Sequence, residues 1–275
     1  PASIASAMST GARRGLLMKG GAVIEAAAKV DVVTFDKTGT LTHGRPQVTD
    51  VVPFGSTTEA ELLAVAAGVE TGSSHPLAIA LTRAAKAAGV EAVVLQDLQE
   101  VPGYGTQACL SGQIVRLGRA AWVGARGQLE QTATWLDLGD EMPVAIRFTD
   151  AFRPGAQEAV SALQDAGMDV ILISGDTVAA VRDLAERLGI QSWVAEALPD
   201  EKAARVSQLT EAGHKVLMVG DGLNDTAALA GAHVSISPAS ALDAARVASD
   251  IVLLGKDLSP ISEACGVAKR ATKRI

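Results

Sequence analysis

At 275 residues the chain can bury a large core and reads as two domains, with no run of about 18 apolar residues that would span a bilayer. A net charge of −7 and an aromatic content of 3% exclude a binder of nucleic-acid backbone or a stacking platform for bases along a strand. Cys109 and Cys265 are too far apart in sequence for a C-x-x-C zinc site or a disulfide framework, and read as buried small apolar residues of a reducing compartment.

The chain opens on Pro1-Ala2-Ser3 rather than Met, which reads as an excised piece. Residues 1–20 carry Arg13, Arg14 and Lys19 without an acid, and 266–275 carry Lys269, Arg270, Lys273 and Arg274 without one. Basic ends on an acidic body suit the cytoplasmic flanks of membrane helices outside this chain; solvated helix ends are an equal reading. Lys19-Gly20-Gly21 lacks the rest of a phosphate loop. Next, the apolar run 32–35 predicts a buried strand that delivers Asp36-Lys37-Thr38-Gly39-Thr40, followed by a turn at Gly44-Arg45-Pro46. Ligands bind at the carboxyl ends of such strands in open α/β sheets. A carboxylate there, with a lysine beside it and a glycine that lets backbone amides approach, suits a nucleophile that takes a phosphoryl group.

From about 47 to 144 the rhythm changes. Segments 58–69 and 76–88 predict a helical pair, and 92–95, 107–110, 113–117 and 135–138 predict short strands between Gly-rich turns. This suits an antiparallel sheet with a helical hairpin, inserted into the first domain with boundaries near Pro46 and Met142-Pro143. Strand and helix then alternate: helix 155–166, strand 168–173, helix 177–188 stopped by Gly189, helix 201–212, strand 215–219, and short strands 234–236 and 251–254. The fold class expected is α/β, a doubly wound mostly parallel sheet with an inserted α+β antiparallel-sheet domain. The domains are 1–46 and 145–275 for the first, and 47–144 for the insertion.

Three acid-bearing strand ends converge in this arrangement: Asp36, Ser174-Gly175-Asp176, and Gly220-Asp221-Gly222-Leu223-Asn224-Asp225. Parallel neighbours bring them to one edge, where Asp36, Asp221 and Asp225 repel unless a cation lies between them. Oxygen ligands without His or Cys point to Mg²⁺. Lys202 opens a helix and can reach the same crevice, where it would neutralise phosphate charge.

These motifs in this order resemble the haloacid dehalogenase-like superfamily and, within it, the P-type ATPases. The resemblance implies that Asp36 takes the γ-phosphoryl group of ATP. Thr38 would give Mg²⁺ a backbone carbonyl and phosphate a hydroxyl, and Asp221 would ligate Mg²⁺. Ser174, where the family usually has Thr, would hold a phosphate oxygen. Lys202 would bind the phosphoryl group, and Asn224 and Asp225 would complete the site. Asp150 with Arg153-Pro154 resembles the hinge between domains.

The insertion is similar to that of the heavy-metal (type IB) branch. Glu70-Thr71-Gly72-Ser73-Ser74-His75-Pro76-Leu77 resembles its His-Pro motif, and Gly103-Tyr104-Gly105 its nucleotide-domain Gly-x-Gly. The resemblance implies that Glu70, His75, Gly103 and Gly105 bind ATP. Low aromatic content agrees, since other P-type branches lean on a Phe for adenine. The metal-ligating membrane helices and the actuator domain's Thr-Gly-Glu are absent from this sequence. The expected parent is an integral membrane protein of the plasma or inner membrane, with this part in the cytoplasm, autophosphorylating at Asp36. Its partners would be ATP, a transported heavy-metal cation, and its own actuator and membrane domains, with no nucleic acid. The sequence does not say which metal moves. The rival is a soluble phosphatase of the same superfamily with a cap domain. Such phosphatases usually carry an Asp two residues after the nucleophile as acid and base, and Thr38 stands there.

Overall fold

The computed structural model describes residues 2–52, 55–126, 132–139, 142–222, 225–241 and 243–273. In chain order the elements begin with α1 (Ala2–Arg13), β1 (Leu16–Met18), α2 (Gly21–Ala28), β2 (Val32–Phe35) and β3 (Thr42–Val52). They continue as α3 (Glu59–Val69), α4 (Pro76–Ala87), β4 (Gln96–Val101), β5 (Gly105–Leu110), β6 (Gln113–Gly118), α5 (Ala120–Val123), β7 (Ala133–Asp137) and β8 (Val144–Phe152). The remainder alternates: α6 (Ala156–Asp165), β9 (Asp169–Ile173), α7 (Val178–Leu188), β10 (Ser192–Val194), α8 (Pro199–Glu211), β11 (Val216–Val219), α9 (Thr226–Gly231), β12 (Val234–Pro238), α10 (Asp243–Ala248), β13 (Ile251–Leu253) and α11 (Pro260–Thr272). Among the described residues no helix is long and apolar enough to cross a membrane.

Two compact units result. The first comprises residues 1–44 and 152–275, the second 45–151. The first is built on a seven-stranded sheet in the order β1-β13-β12-β11-β2-β9-β10, parallel except for β1, which pairs antiparallel with β13. Every residue of β2 and β11 is buried, as parallel strands covered on both faces must be. One face packs Val33, Phe35, Leu172 and Leu217 against Ile24, Val160, Leu184 and Ile261. The other packs Val32, Ile171 and Met218 against Val206 and Leu209 of α8 and Leu229 of α9. Burying a side chain of this kind contributes about 1.5–3 kcal/mol, so β2, buried along its whole length, is firmly held in the unit. The consequence is a nucleophile loop that starts from a rigid base.

The second unit is a six-stranded sheet, β3-β8-β7-β6-β5-β4, with antiparallel pairing from β4 through β8. Leu62, Ala66, Leu81 and Ala85 of α3 and α4 pack on Val115, Leu117, Leu136 and Ile146 of the sheet. Thr58 starts α3 with a capping box, exchanging bonds with Glu61. Pro76 starts α4, where its missing N–H is harmless.

Several expectations need correction. The turn at Gly44-Arg45-Pro46 lies inside β3: the long strand absorbs it, with Gly44 at φ 66° supplying the only left-handed step there. The second boundary falls at 151/152 rather than near Met142-Pro143, because β8 belongs to the inserted sheet for nearly its whole length. Segment 92–95 is not a strand. It runs as loop, with Val93 N–H donating to Ala64 O, and the strand begins at Gln96. That edge strand is polar and exposed through Glu100, so it has no alternation to read. Cys265 is buried, which pushes its thiol up to about 11, but Cys109 is only partly buried.

Candidate functional site

Asp36 N–H donates to Val219 O, so the nucleophile candidate sits one step beyond the paired ends of β2 and β11. The following segment turns sharply, with Gly39 at φ 74°. A side chain at Gly39 could not fit, since its Cβ would lie 1.7 Å from Asp221 Oδ2. Only glycine gives both the backbone angle and the space. The loop thereby rests against Asp221, at the end of β11.

Lys202 reaches this point from the first turns of α8. Its Nζ lies 2.8 Å from Asp36 Oδ1 and 2.9 Å from Asp225 Oδ1, and all three residues are buried. Asp225 Oδ2 accepts the N–H groups of Asp221 and Gly222, each at 3.3 Å, which holds that loop closed. Oxygens of Asp36, Asp221 and Asp225 lie within 4.8 Å of one another. Burial, followed by repulsion from Asp225, pushes the Asp36 carboxyl up to about 7 and that of Asp221 up to about 6. Burial alone would lower the Lys202 ammonium, but attraction to Asp36 and Asp225 outweighs it and raises the group. Lys202, with Arg153 acting on Asp221, still leaves the three carboxylates one positive charge short. An oxygen-only donor set this close fits a hard divalent cation such as Mg²⁺, and offers no His or Cys for a softer one.

Ser174 follows β9, the neighbour of β2, and is buried, its Oγ accepting Asp176 N–H at 3.2 Å. Asp176 does not join the carboxylate cluster; it is ion-paired to Lys37. Thr38 is exposed on the loop, while the Thr40 hydroxyl is buried without a partner among the described residues. Asn224 lies outside the described residues.

Sequence reasoning missed the part Arg153 plays. Its buried guanidinium donates to Gly39 O, Gly255 O and Lys256 O at 3.2–3.4 Å, and its N–H donates to Leu41 O. It therefore fastens the far side of the nucleophile loop. The signal was present in Asp150-Ala151-Phe152-Arg153-Pro154, which suggested only a hinge. Asp150 accepts Arg45 N–H at 3.2 Å in the second unit.

The second unit has its own cleft of about 780 Å³, and Glu70, His75, Gly103 and Gly105 all line it. His75 caps α4: its Nδ1 accepts Leu77 N–H at 3.2 Å, which leaves the proton on Nε2 as a donor. Gly105 has a structural reason as well. It pairs with Gly118 across β5 and β6, and a Cβ on it would lie 2.1 Å from Leu117 O. A bulky residue at Gly105 would part the strands, so substitution there tests the sheet as much as any ligand. Gly103, at φ 81°, faces open space, with no atom within 4 Å of where a Cβ would stand, and serves the turn instead.

The haloacid dehalogenase-like hydrolase family matches residues 30–233 of this chain. The probable copper-transporting ATPase SynA of Synechococcus sp. is 36% identical over 283 residues, covering all of this chain and 36% of that protein. A zinc-transporting PIB-type ATPase solved in its E2.Pi state superposes with a TM-score of 0.89 at 33% identity, covering 99% of this chain and 46% of the other. The catalytic domain of the CPx-ATPase CopB-B superposes at 0.79 with 31% identity, covering 95% of this chain and 98% of that one. The chain thus spans roughly a third of the length of SynA.

Proposed function

From the premise that this chain belongs to the haloacid dehalogenase-like hydrolase family and, within it, to the catalytic domains of heavy-metal P-type ATPases, we propose that it binds ATP and takes the γ-phosphoryl group on Asp36. The observation that carries this reading is the buried Lys202–Asp36 pair at the end of β2, with Asp221 and Asp225 around it. A carboxylate held in one orientation at a strand end attacks in line, and Lys202 supplies positive charge to the transferring group. Asp36 and Asp221, with the Thr38 carbonyl, would hold Mg²⁺. When bound, that ion neutralises charge on the phosphoryl oxygens. The Ser174 hydroxyl would hold one of those oxygens, and Asn224 with Asp225 would complete the site. Glu70, His75, Gly103 and Gly105 would bind the nucleotide in the cleft of the second unit. In a full-length parent this part would face the cytoplasm and serve translocation of a heavy-metal cation, working with actuator and membrane domains. Copper and zinc both occur among the relatives, so the choice of metal is left to those other parts.

His75→Gln is expected to weaken ATP binding in calorimetry by about 1–3 kcal/mol, the cost of a lost polar contact. Glu70→Ala should do the same. Asp221→Ala should leave adenosine affinity unchanged, since it stands at the phosphate end. Wild-type ATP affinity in His75→Gln would move adenine recognition elsewhere.

The rival phosphatase is separated by the second half-reaction. General-base help with water is worth about 10²–10⁴-fold, and Thr38 cannot give it at neutral pH. The aspartyl phosphate should therefore persist in this chain, while beryllium or aluminium fluoride with Mg²⁺ should bind at Asp36 as a phosphoryl mimic. An assay with p-nitrophenyl phosphate and with ATP checks this: turnover of roughly 1–10³ per second would favour the phosphatase.

A further inference from the structure

The cleft of the second unit has one side chain on its wall that the motifs do not explain. Besides the Glu70–His75 segment, the turn between β4 and β5 contributes to the lining and places Tyr104 on it. It is the only tyrosine in the chain, and it is 55% exposed. Its side chain makes no hydrogen bond or ring contact among the described residues. Leu98, also on the lining, is 41% exposed. A large aromatic ring left open on a cleft lining that also holds an exposed leucine loses apolar burial that folding would otherwise supply.

The backbone under this ring is fixed. Tyr104 N–H donates to Val101 O, and Tyr104 O accepts Arg119 N–H, both at 3.0 Å. A Cβ on Gly118 would lie 2.2 Å from Tyr104 O, so the strand end of β6 is pressed against the tyrosine's own peptide. Gly103 at φ 81° and Gly105 at φ 154° set the turn that presents the ring. An aromatic side chain has few torsions to freeze, and here its backbone is held before any ligand arrives. That is the design of a low-entropy contact.

We propose that the Tyr104 ring stacks on the purine face of the nucleotide bound in this cleft. The inference rests on the nucleotide reading given above for the same cleft. It adds a residue that the Gly-x-Gly motif leaves unspecified, and it gives this chain an aromatic contact of the kind its 3% aromatic content argued against. The ring recognises a planar π-face and Leu98 adds apolar surface to the same lining, so the contact favours the base and is indifferent to phosphate number.

The test is calorimetry of the whole chain with ATP, adenosine and tripolyphosphate. Base stacking on an aromatic is sequence-tolerant and removing the ring costs about 5- to 150-fold in affinity. Tyr104→Ala should therefore weaken ATP and adenosine by the same factor and leave tripolyphosphate unchanged. Tyr104→Phe and Tyr104→Trp should bind near wild type. In proton spectra of the wild-type complex the adenine H2 and H8 resonances should move upfield by the ring current, and that shift should shrink in Tyr104→Ala. The proposal is overturned if Tyr104→Ala binds ATP as wild type does, if Tyr104→Phe loses as much as Tyr104→Ala, or if wild type gives no upfield shift. His75→Gln distinguishes the two levels. Loss of binding there with wild-type binding in Tyr104→Ala rejects only the stacking contact, while absence of ATP binding by the wild-type chain rejects both.

Discussion

Asp36→Asn is expected to abolish acid-stable labelling of the chain by γ-³²P-ATP while leaving it folded. The amide matches the carboxylate in shape and loses its nucleophilicity, and a removed nucleophile costs about 10⁴–10⁶ in rate. The fold should tolerate the change for a reason visible in the site. Burial and the neighbouring Asp225 already push the Asp36 carboxyl up to about 7, so its charge is carried at a cost. Removing that charge eases the repulsion and leaves Lys202 paired to Asp225 at 2.9 Å. The melting temperature should stay level or rise. The check is acid-quenched labelling of both proteins beside their thermal unfolding curves. Wild-type labelling in the variant would place the phosphoryl group on another residue.

The same site explains what could be read from the sequence. Burial on both faces makes a parallel strand a continuous apolar run, so β2 and β11 announce themselves, and their acids follow directly. The helical hairpin was equally legible, because α3 and α4 begin at Thr58 and at His75-Pro76, where capping chemistry is local. What depends on distant neighbours was hidden. β3 alternates exposed with mostly half-buried positions, but its sequence puts few apolar residues on the inner face and contains a proline, so it reads as a turn. β4 is an edge strand with a register shift between Gln96 and Gln99 and exposed side chains. Arg153 fastens carbonyls at Gly39 and Gly255, which lie more than a hundred residues away on either side. No local pattern encodes a guanidinium's reach. Gly105 is held to glycine by its contact with the strand carrying Leu117 and Gly118, while the sequence suggested only a ligand role for it.

Lys202→Ala should be the most damaging change to stability in the site. It leaves the buried carboxylates of Asp36 and Asp225 facing each other with no lysine between them. Breaking a buried pair from one side typically costs about 3–5 kcal/mol, a large share of the roughly 5–15 kcal/mol that holds a protein folded. The site has one escape, which is to protonate Asp36. Its folded-state value of about 7 already exceeds the unfolded 3.8, so the folded chain binds more protons across that interval and stability falls as pH rises through it. Without Lys202 the folded value moves higher still. The gap between wild type and variant should therefore be smaller where Asp36 is protonated and should open as pH rises past about 7. Urea unfolding at about pH 6 and about pH 8.5 measures it. Adding Asp36→Asn to Lys202→Ala removes one of the two stranded charges, and should restore part of the loss at the higher pH. Equal midpoints for wild type and Lys202→Ala at both pH values would mean that the lysine does not hold these carboxylates. Its charge would then have to serve the transferring phosphoryl group alone.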